Sequence, residues 1–143
     1  MTHSTQKLVQ LAIEAAQTAY APYSNFHVGT ALLLDTGEII TGSNFENASY
    51  GMTLCAETVA IAKANSDGKL RAIREIAVAG GLAGHVGKAA DPITPCGRCR
   101  QIIKEVADLT DTDIPVHCAH ATGYETFRLS ELLPHGFGPA NLK

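Results

Sequence analysis

The chain has 143 residues, with 11 Lys+Arg against 14 Asp+Glu and a net charge of -3. Apolar residues make up 45% and charged residues 17%, which suits one globular domain over residues 1–143 and excludes a disordered or fibrous chain. The acidic balance argues against a protein that grips nucleic acid, and apolar runs such as Ala31-Leu32-Leu33-Leu34 are too short to span a membrane.

Residues 1–7 lead into an amphipathic pattern rather than an apolar signal core, so the expected address is cytoplasmic. Residues 5–20 read as a helix, with Leu8, Leu11, Ala12, Ala15 and Ala16 at helical spacing and Pro22 as its stop. Residues 27–34 and 38–42 read as a hairpin about Asp35-Thr36-Gly37. Residues 44–51 are polar and small, an ordered loop. Residues 53–64 read as a helix that Gly68 ends. Residues 75–79 are a buried strand, and the glycine-rich stretch 80–94 reads as a flexible connection near the site mouth. Pro95 opens a helix to about residue 108. Residues 114–119 and 124–129 are two more strands, and Ser130 is expected to cap a final turn before Pro134. Helices interleaved with strands predict a three-layer α/β/α domain about a mixed, five-stranded sheet.

Four cysteines in such a chain read as thiols or metal ligands rather than disulfides. Cys55-Ala56-Glu57 and Pro95-Cys96-Gly97-Arg98-Cys99 both fall at predicted helix starts. Unsatisfied N–H groups there favour thiolate, and the spacing of Cys96 and Cys99 puts both on one side of a first turn. Zinc takes sulfur ligands, four in structural sites and three plus an open position in catalytic ones. Cys118 is the candidate for a fourth ligand, although a buried core thiol is its commoner role. Glu57 alone would be an ordinary first-turn carboxylate. Beside the cysteines it is placed to take a proton from a metal-bound water without ligating the metal. Cys-x-Glu followed by Pro-Cys-x-x-Cys is the signature of the zinc nucleoside and nucleobase deaminases.

With these residues in view, the chain resembles the small, homotetrameric class of cytidine deaminase over nearly its whole length. The resemblance runs through Ala21-Pro22-Tyr23-Ser24-Asn25-Phe26-His27-Val28-Gly29 and Gly42-Ser43-Asn44-Phe45-Glu46-Asn47-Ala48-Ser49-Tyr50-Gly51. It continues through Cys55-Ala56-Glu57 and Pro95-Cys96-Gly97-Arg98-Cys99-Arg100-Gln101 and closes with Leu132-Leu133-Pro134 and Phe137. It implies one Zn²⁺ per subunit on Cys55, Cys96 and Cys99, with Glu57 as catalytic acid–base. It implies that Asn44 and Glu46 hold the ribose hydroxyls and that Phe26 packs against the base. The Ala56 amide and the Thr94 carbonyl would read the cytosine edge, and Ala48, Tyr50 and Phe137 would complete a neighbouring subunit's site. The implied activity is hydrolysis of cytidine, and of 2′-deoxycytidine, to uridine-type product and ammonia in pyrimidine salvage.

One position departs from the family pattern. Arg commonly follows Cys-Ala-Glu, whereas here Thr58 does. Three thiolates and Zn²⁺ sum to -1, so a compensating cation is expected, and Arg98 is assigned to hydrogen-bond the sulfurs. The blasticidin-S deaminase relatives pair a non-Arg after the Glu with an Arg at the Arg98 position. A deaminase of a modified or non-ribose cytosine nucleoside such as blasticidin S is therefore the alternative, against which Asn44 and Glu46 favour ribose. A nucleic-acid-editing deaminase fits less well, given the charge and a Cys rather than His at position 55. A zinc-stapled interaction module would leave Glu57 unexplained. His117 and His120 read as solvated or structural, and Arg100 as a helix-surface or interface residue.

Overall fold

The computed structural model describes residues 4–143; residues 1–3, part of the stretch read as lacking a signal core, lie outside them. Ser4 opens α1 (Thr5–Ala15), its hydroxyl accepting from the Lys7 amide at 3.3 Å. The helix does not run to residue 20. It tightens into a 3-10 turn at Ala16–Thr18 and turns extended at Ala19. Tertiary contact decides this: Tyr20 forms a bridge with Phe45, and its amide donates to the Asn44 carbonyl at 3.0 Å.

The strands are β1 (Phe26–Leu34), β2 (Ile39–Ser43), β3 (Ile73–Leu82), β4 (Pro115–His120) and β5 (Gly123–Arg128), in the order β2-β1-β3-β4-β5. β3 and β4 run parallel, while the other neighbours run antiparallel, so the sheet is mixed as expected. Gly37, with φ of 88°, makes the β1–β2 turn. β3 is longer than the sequence suggests, because Gly80 and Gly81 pair with Val28 and His27 instead of starting a loop. A Cβ at Gly80 would lie 3.1 Å from the Phe26 ring, and one at Gly81 would lie 2.6 Å from the His85 carbonyl oxygen. These glycines mark close approach within a strand rather than a break in it.

The period-two alternation of β1 sends Ala31 and Leu33 to one face and Leu32 and Leu34 to the other. The first face packs on Leu8, Val9 and Ala12 of α1. The second packs beneath α2 (Ala56–Ser66) and α3 (Gly97–Thr110), against Ile61, Ile103 and Val106. Each such side chain contributes about 1.5–3 kcal/mol on full burial. Three layers, α/β/α, result.

Short α4 (Leu129–Leu132) follows β5. Ser130 does not cap it. Its amide and hydroxyl donate to the Asp113 carboxylate at 3.0 and 2.6 Å, so a residue from the loop before β4 secures this turn.

Candidate active site and metal centre

Cys55 is the N-cap of α2 and Cys96 the N-cap of α3, each with extended backbone. The helices begin at Ala56 and Gly97, later than the expected residues 53 and 95. Neither cysteine makes a side-chain capping bond. Ser, Thr, Asp or Asn would stabilise each start by about 1 kcal/mol, so sulfur at both caps costs stability that a ligand role explains. Cys99 lies in the first turn of α3 and is buried, Cys55 is half-buried and Cys96 is exposed.

The three sulfurs lie within 4.8 Å of one another, with Cys55 Sγ and Cys96 Sγ 3.8 Å apart. Tetrahedral zinc with Zn–S of about 2.3 Å separates its sulfurs by roughly 3.8 Å, so the donor set fits that ion in type and spacing. Electrostatics favour a cation as well. Hydrogen bonding from the Cys99 thiol, against the opposing effect of burial, draws the Cys55 thiol down to about 6, helped by Cys96 and the Arg98 charge. The bond to Cys55, burial and the Glu57 charge together push the Cys99 thiol upward. Without a cation, the second proton leaves this cluster with difficulty. Cys118 is outside the cluster. It is fully buried in the core beneath α2 and α3, and desolvation pushes its thiol up to about 12.

Glu57 follows Cys55 by two residues and is buried. Desolvation raises its carboxyl to about 7. It borders a cavity of about 190 Å³ with Cys55, Cys96, Phe26, Asn44, Ala56 and Thr94. Two of the expected ligands and four of the expected substrate residues therefore meet Glu57 in one cavity.

Glu46 stands apart, lining an adjoining depression of about 340 Å³ with Tyr23, Ser24 and Tyr50. Thr53, which sequence reasoning did not single out, borders both spaces. The Ser24 hydroxyl bonds the Glu46 carboxylate closely and, with the Tyr23 and Ser24 amides at 3.0 and 3.2 Å, holds its pKa below the ordinary carboxylate value. Asn44 braces β1: its Oδ1 accepts from the Val28 amide and its Nδ2 donates to the Phe26 carbonyl, both at 2.9 Å. Ala48, Tyr50 and Phe137 are exposed and do not border the cavity of their own chain.

Arg98 departs from its expected partner. Exposed on the first turn of α3, its Nη1 donates to the Thr53 carbonyl at 3.2 Å rather than to sulfur. The residue between two inward-facing cysteines is turned outward by the helical rotation, so only its charge acts on Cys55. The polar partner of Cys99 is Thr58, whose Oγ1 lies 3.7 Å from the sulfur. His117 is structural: buried, with Nδ1 2.8 Å from Thr126 Oγ1 and Nε2 2.8 Å from Glu75 Oε1. Arg100, expected at a surface or interface, is half-buried and makes three hydrogen bonds. Its sequence signal is that Arg100-Gln101 continues the segment by which the chain resembles the family, which says nothing of the partners it meets.

The family model for the cytidine and deoxycytidylate deaminase zinc-binding region matches residues 2–112. A cytidine deaminase from Halalkalibacterium halodurans is 44% identical over 133 residues, 92% of either chain. One from Sporosarcina psychrophila is 39% identical, over 96% of this chain and 93% of its own. A more distant relative, the blasticidin-S deaminase of Bacillus cereus, is 34% identical over 71% of either chain. Among solved structures, the cytidine deaminase of Burkholderia pseudomallei superposes with a TM-score of 0.81 at 35% identity, over 94% of this chain and all of that one.

Proposed function

The chain belongs to the cytidine and deoxycytidylate deaminase family, and on that premise we propose that it hydrolyses cytidine, and 2′-deoxycytidine, releasing ammonia and the uracil nucleoside. The observation that carries this reading is a buried carboxyl sharing one small cavity with two of three clustered sulfurs. Cys55, Cys96 and Cys99 would hold one zinc ion, and the chemistry it would supply there is to make a water acidic near neutral pH, with a pKa of about 7. The Glu57 carboxylate takes a proton from the attacking water and delivers it to N3 of the base. The carboxylate then takes the remaining proton of the hydroxyl added at C4 and passes it to the amino group, so that the C4–N bond breaks, ammonia leaves and the C4 carbonyl forms. Burial raises this carboxyl above its ordinary value, the direction that suits a group that must both take and return a proton near neutral pH. Ala56 offers its amide and Thr94 its carbonyl to the cytosine edge, while Phe26 packs on the ring.

Asn44 and Glu46 hold the ribose. Asn44 has one Nδ2 hydrogen left after bonding the Phe26 carbonyl, which suits a single hydroxyl. Glu46, kept ionised by Ser24 and Tyr23, offers acceptor capacity to a second. Free cytosine, which carries no sugar, would leave both groups unpaired, which discriminates strongly against the base alone. The active form is a cytoplasmic homotetramer serving pyrimidine salvage, in which Ala48, Tyr50 and Phe137 of one chain complete a neighbour's pocket. Their exposure, and the large apolar surface of Tyr50 and Phe137, support this. Residues 1–143 act as one catalytic domain.

The test measures ammonia release from cytidine, deoxycytidine, cytosine and blasticidin S, with zinc stoichiometry on the same sample. One zinc per chain and preferred turnover of the ribonucleoside and deoxyribonucleoside are expected. Glu57→Gln should lower kcat by about 10³-fold with zinc and fold retained. Zinc-replete protein that deaminates none of these would sink the reading, and preference for blasticidin S would favour the alternative substrate.

A further inference from the structure

Arg100 follows the ligand Cys99 and points away from solvent into the seam between three segments. Its Nε donates to the Pro95 carbonyl at 2.7 Å, its Nη2 to Thr94 Oγ1 at 3.0 Å, and its Nη1 to the Leu132 carbonyl at 2.8 Å. All three partners are uncharged. A half-buried guanidinium bonded to neutral acceptors, with no carboxylate paired to it among the described residues, has lost hydration, which is costly unless its geometry is needed. What it gains is a planar fork that fixes three acceptors at once, an arrangement lysine cannot reproduce.

The segments joined are informative. Thr94 and Pro95 immediately precede α3, and Thr94 walls the catalytic cavity. Leu132 is the last residue of α4. The next residue of α3, Gln101, repeats the tie one step on, its Nε2 donating to the Phe137 carbonyl at 2.7 Å. The turn that carries Cys99 thus clamps the cavity wall on one side and the C-terminal segment on the other.

The geometry points to Arg100 as a positioning residue for substrate recognition: its guanidinium fixes the Thr94–Pro95 wall of the cavity against the end of α4. This deepens, and rests on, the reading in which Thr94 meets the cytosine edge. Arg100 touches neither substrate nor metal and acts through the backbone it holds. A misplaced recognition carbonyl weakens the bound ground state and the transition state alike, so its loss appears in KM more than in kcat.

Arg100→Met and Arg100→Lys, together with Thr94→Val, test this. Arg100→Met keeps the aliphatic stem, and Arg100→Lys keeps the charge but not the fork. Zinc content, steady-state kinetics on cytidine and amide hydrogen exchange are read on each. Both Arg100 variants are expected to retain one zinc per chain and to raise KM roughly tenfold, with kcat changed less than about threefold. Exchange should quicken at residues 93–97 and 129–137 while α1 and β1 stay as in the wild type.

Wild-type KM and exchange in Arg100→Lys would show that charge alone matters and would overturn the proposal. So would loss of zinc, or a fall in kcat at constant KM. If the Arg100 variants do not fold, Thr94→Val decides, because it removes one acceptor while leaving the carbonyl. A KM rise of about threefold would support the proposal, and an unchanged KM would overturn it. Should the wild type not deaminate cytidine, the functional reading fails by itself, and the exchange measurement still decides whether Arg100 holds the two segments.

Discussion

Glu46 gathers two backbone amides and a hydroxyl on one carboxylate, and all three bonds favour its charged form. Its pKa therefore falls below 4.5 on folding, with the Ser24 hydroxyl as the main cause. The sign follows from linkage. The stabilisation is complete above the unfolded value of 4.5 and is lost as pH falls through the lower folded value. Glu46→Gln should unfold more easily in urea at pH 7, and the difference from wild type should shrink as pH falls from 5 towards 3. A difference independent of pH over that range would show that packing, not charge, explains the effect. The chemistry of this region was legible where it demands fixed residue types. Only thiolate and imidazole serve a soft metal well, so Cys55, Cys96 and Cys99 announce themselves by type and spacing. Arg98 and Arg100 announce nothing, because which way an arginine turns depends on the segments around it. Local spacing cannot say that one meets Thr53 and the other Thr94, Pro95 and Leu132.

At the scale of elements, the distance between layers rests on two glycines. Gly29 of β1 faces the Ala12 carbonyl and Ala16 amide of α1 so closely that a Cβ would collide with both. Gly42 of β2 lies against α2, where a Cβ would come within 2.7 Å of the Ala60 nitrogen. Backbone cannot yield as a side-chain tip can, so Gly29→Ala is expected to destabilise by about 3 kcal/mol, read as a lower urea midpoint. Gly37→Ala is a useful control. It meets open space and suffers only its positive φ, so it should cost about 1 kcal/mol. Equal effects at the two positions would remove the close-approach explanation. Element order and the mixed sheet were readable from apolar periodicity, whereas boundaries failed wherever distant contacts overrode local preference. Pairing of Tyr20 with Phe45 shortened α1, and glycines that locally signal a loop were recruited into β3 by Val28 and His27.

The whole chain carries a cavity lined from within and aromatic rings that point outward. Tyr50 and Phe137 are 75% and 60% exposed, two large rings whose apolar faces are open to a second chain. If these rings complete a neighbour's pocket, two inactive variants should rescue each other. Glu57→Gln lacks the acid–base but keeps Phe137, and Phe137→Ala has the reverse lesion. Subunit exchange between them should restore part of the wild-type ammonia release, and no recovery in proven hybrids would refute sharing between chains. A further consequence lies in the placement of the sulfurs. Cys55 and Cys96 are separated by 41 positions in the chain, with α2 and β3 between them. An ion bound there is a cross-link as well as a reagent. Closing a loop of that length in the unfolded chain is worth about 4 kcal/mol of entropy, less whatever the unfolded cysteines retain of the metal. A chelator would thus loosen the architecture as it silences the chemistry, and metal supply would govern how long the protein persists as well as how fast it works.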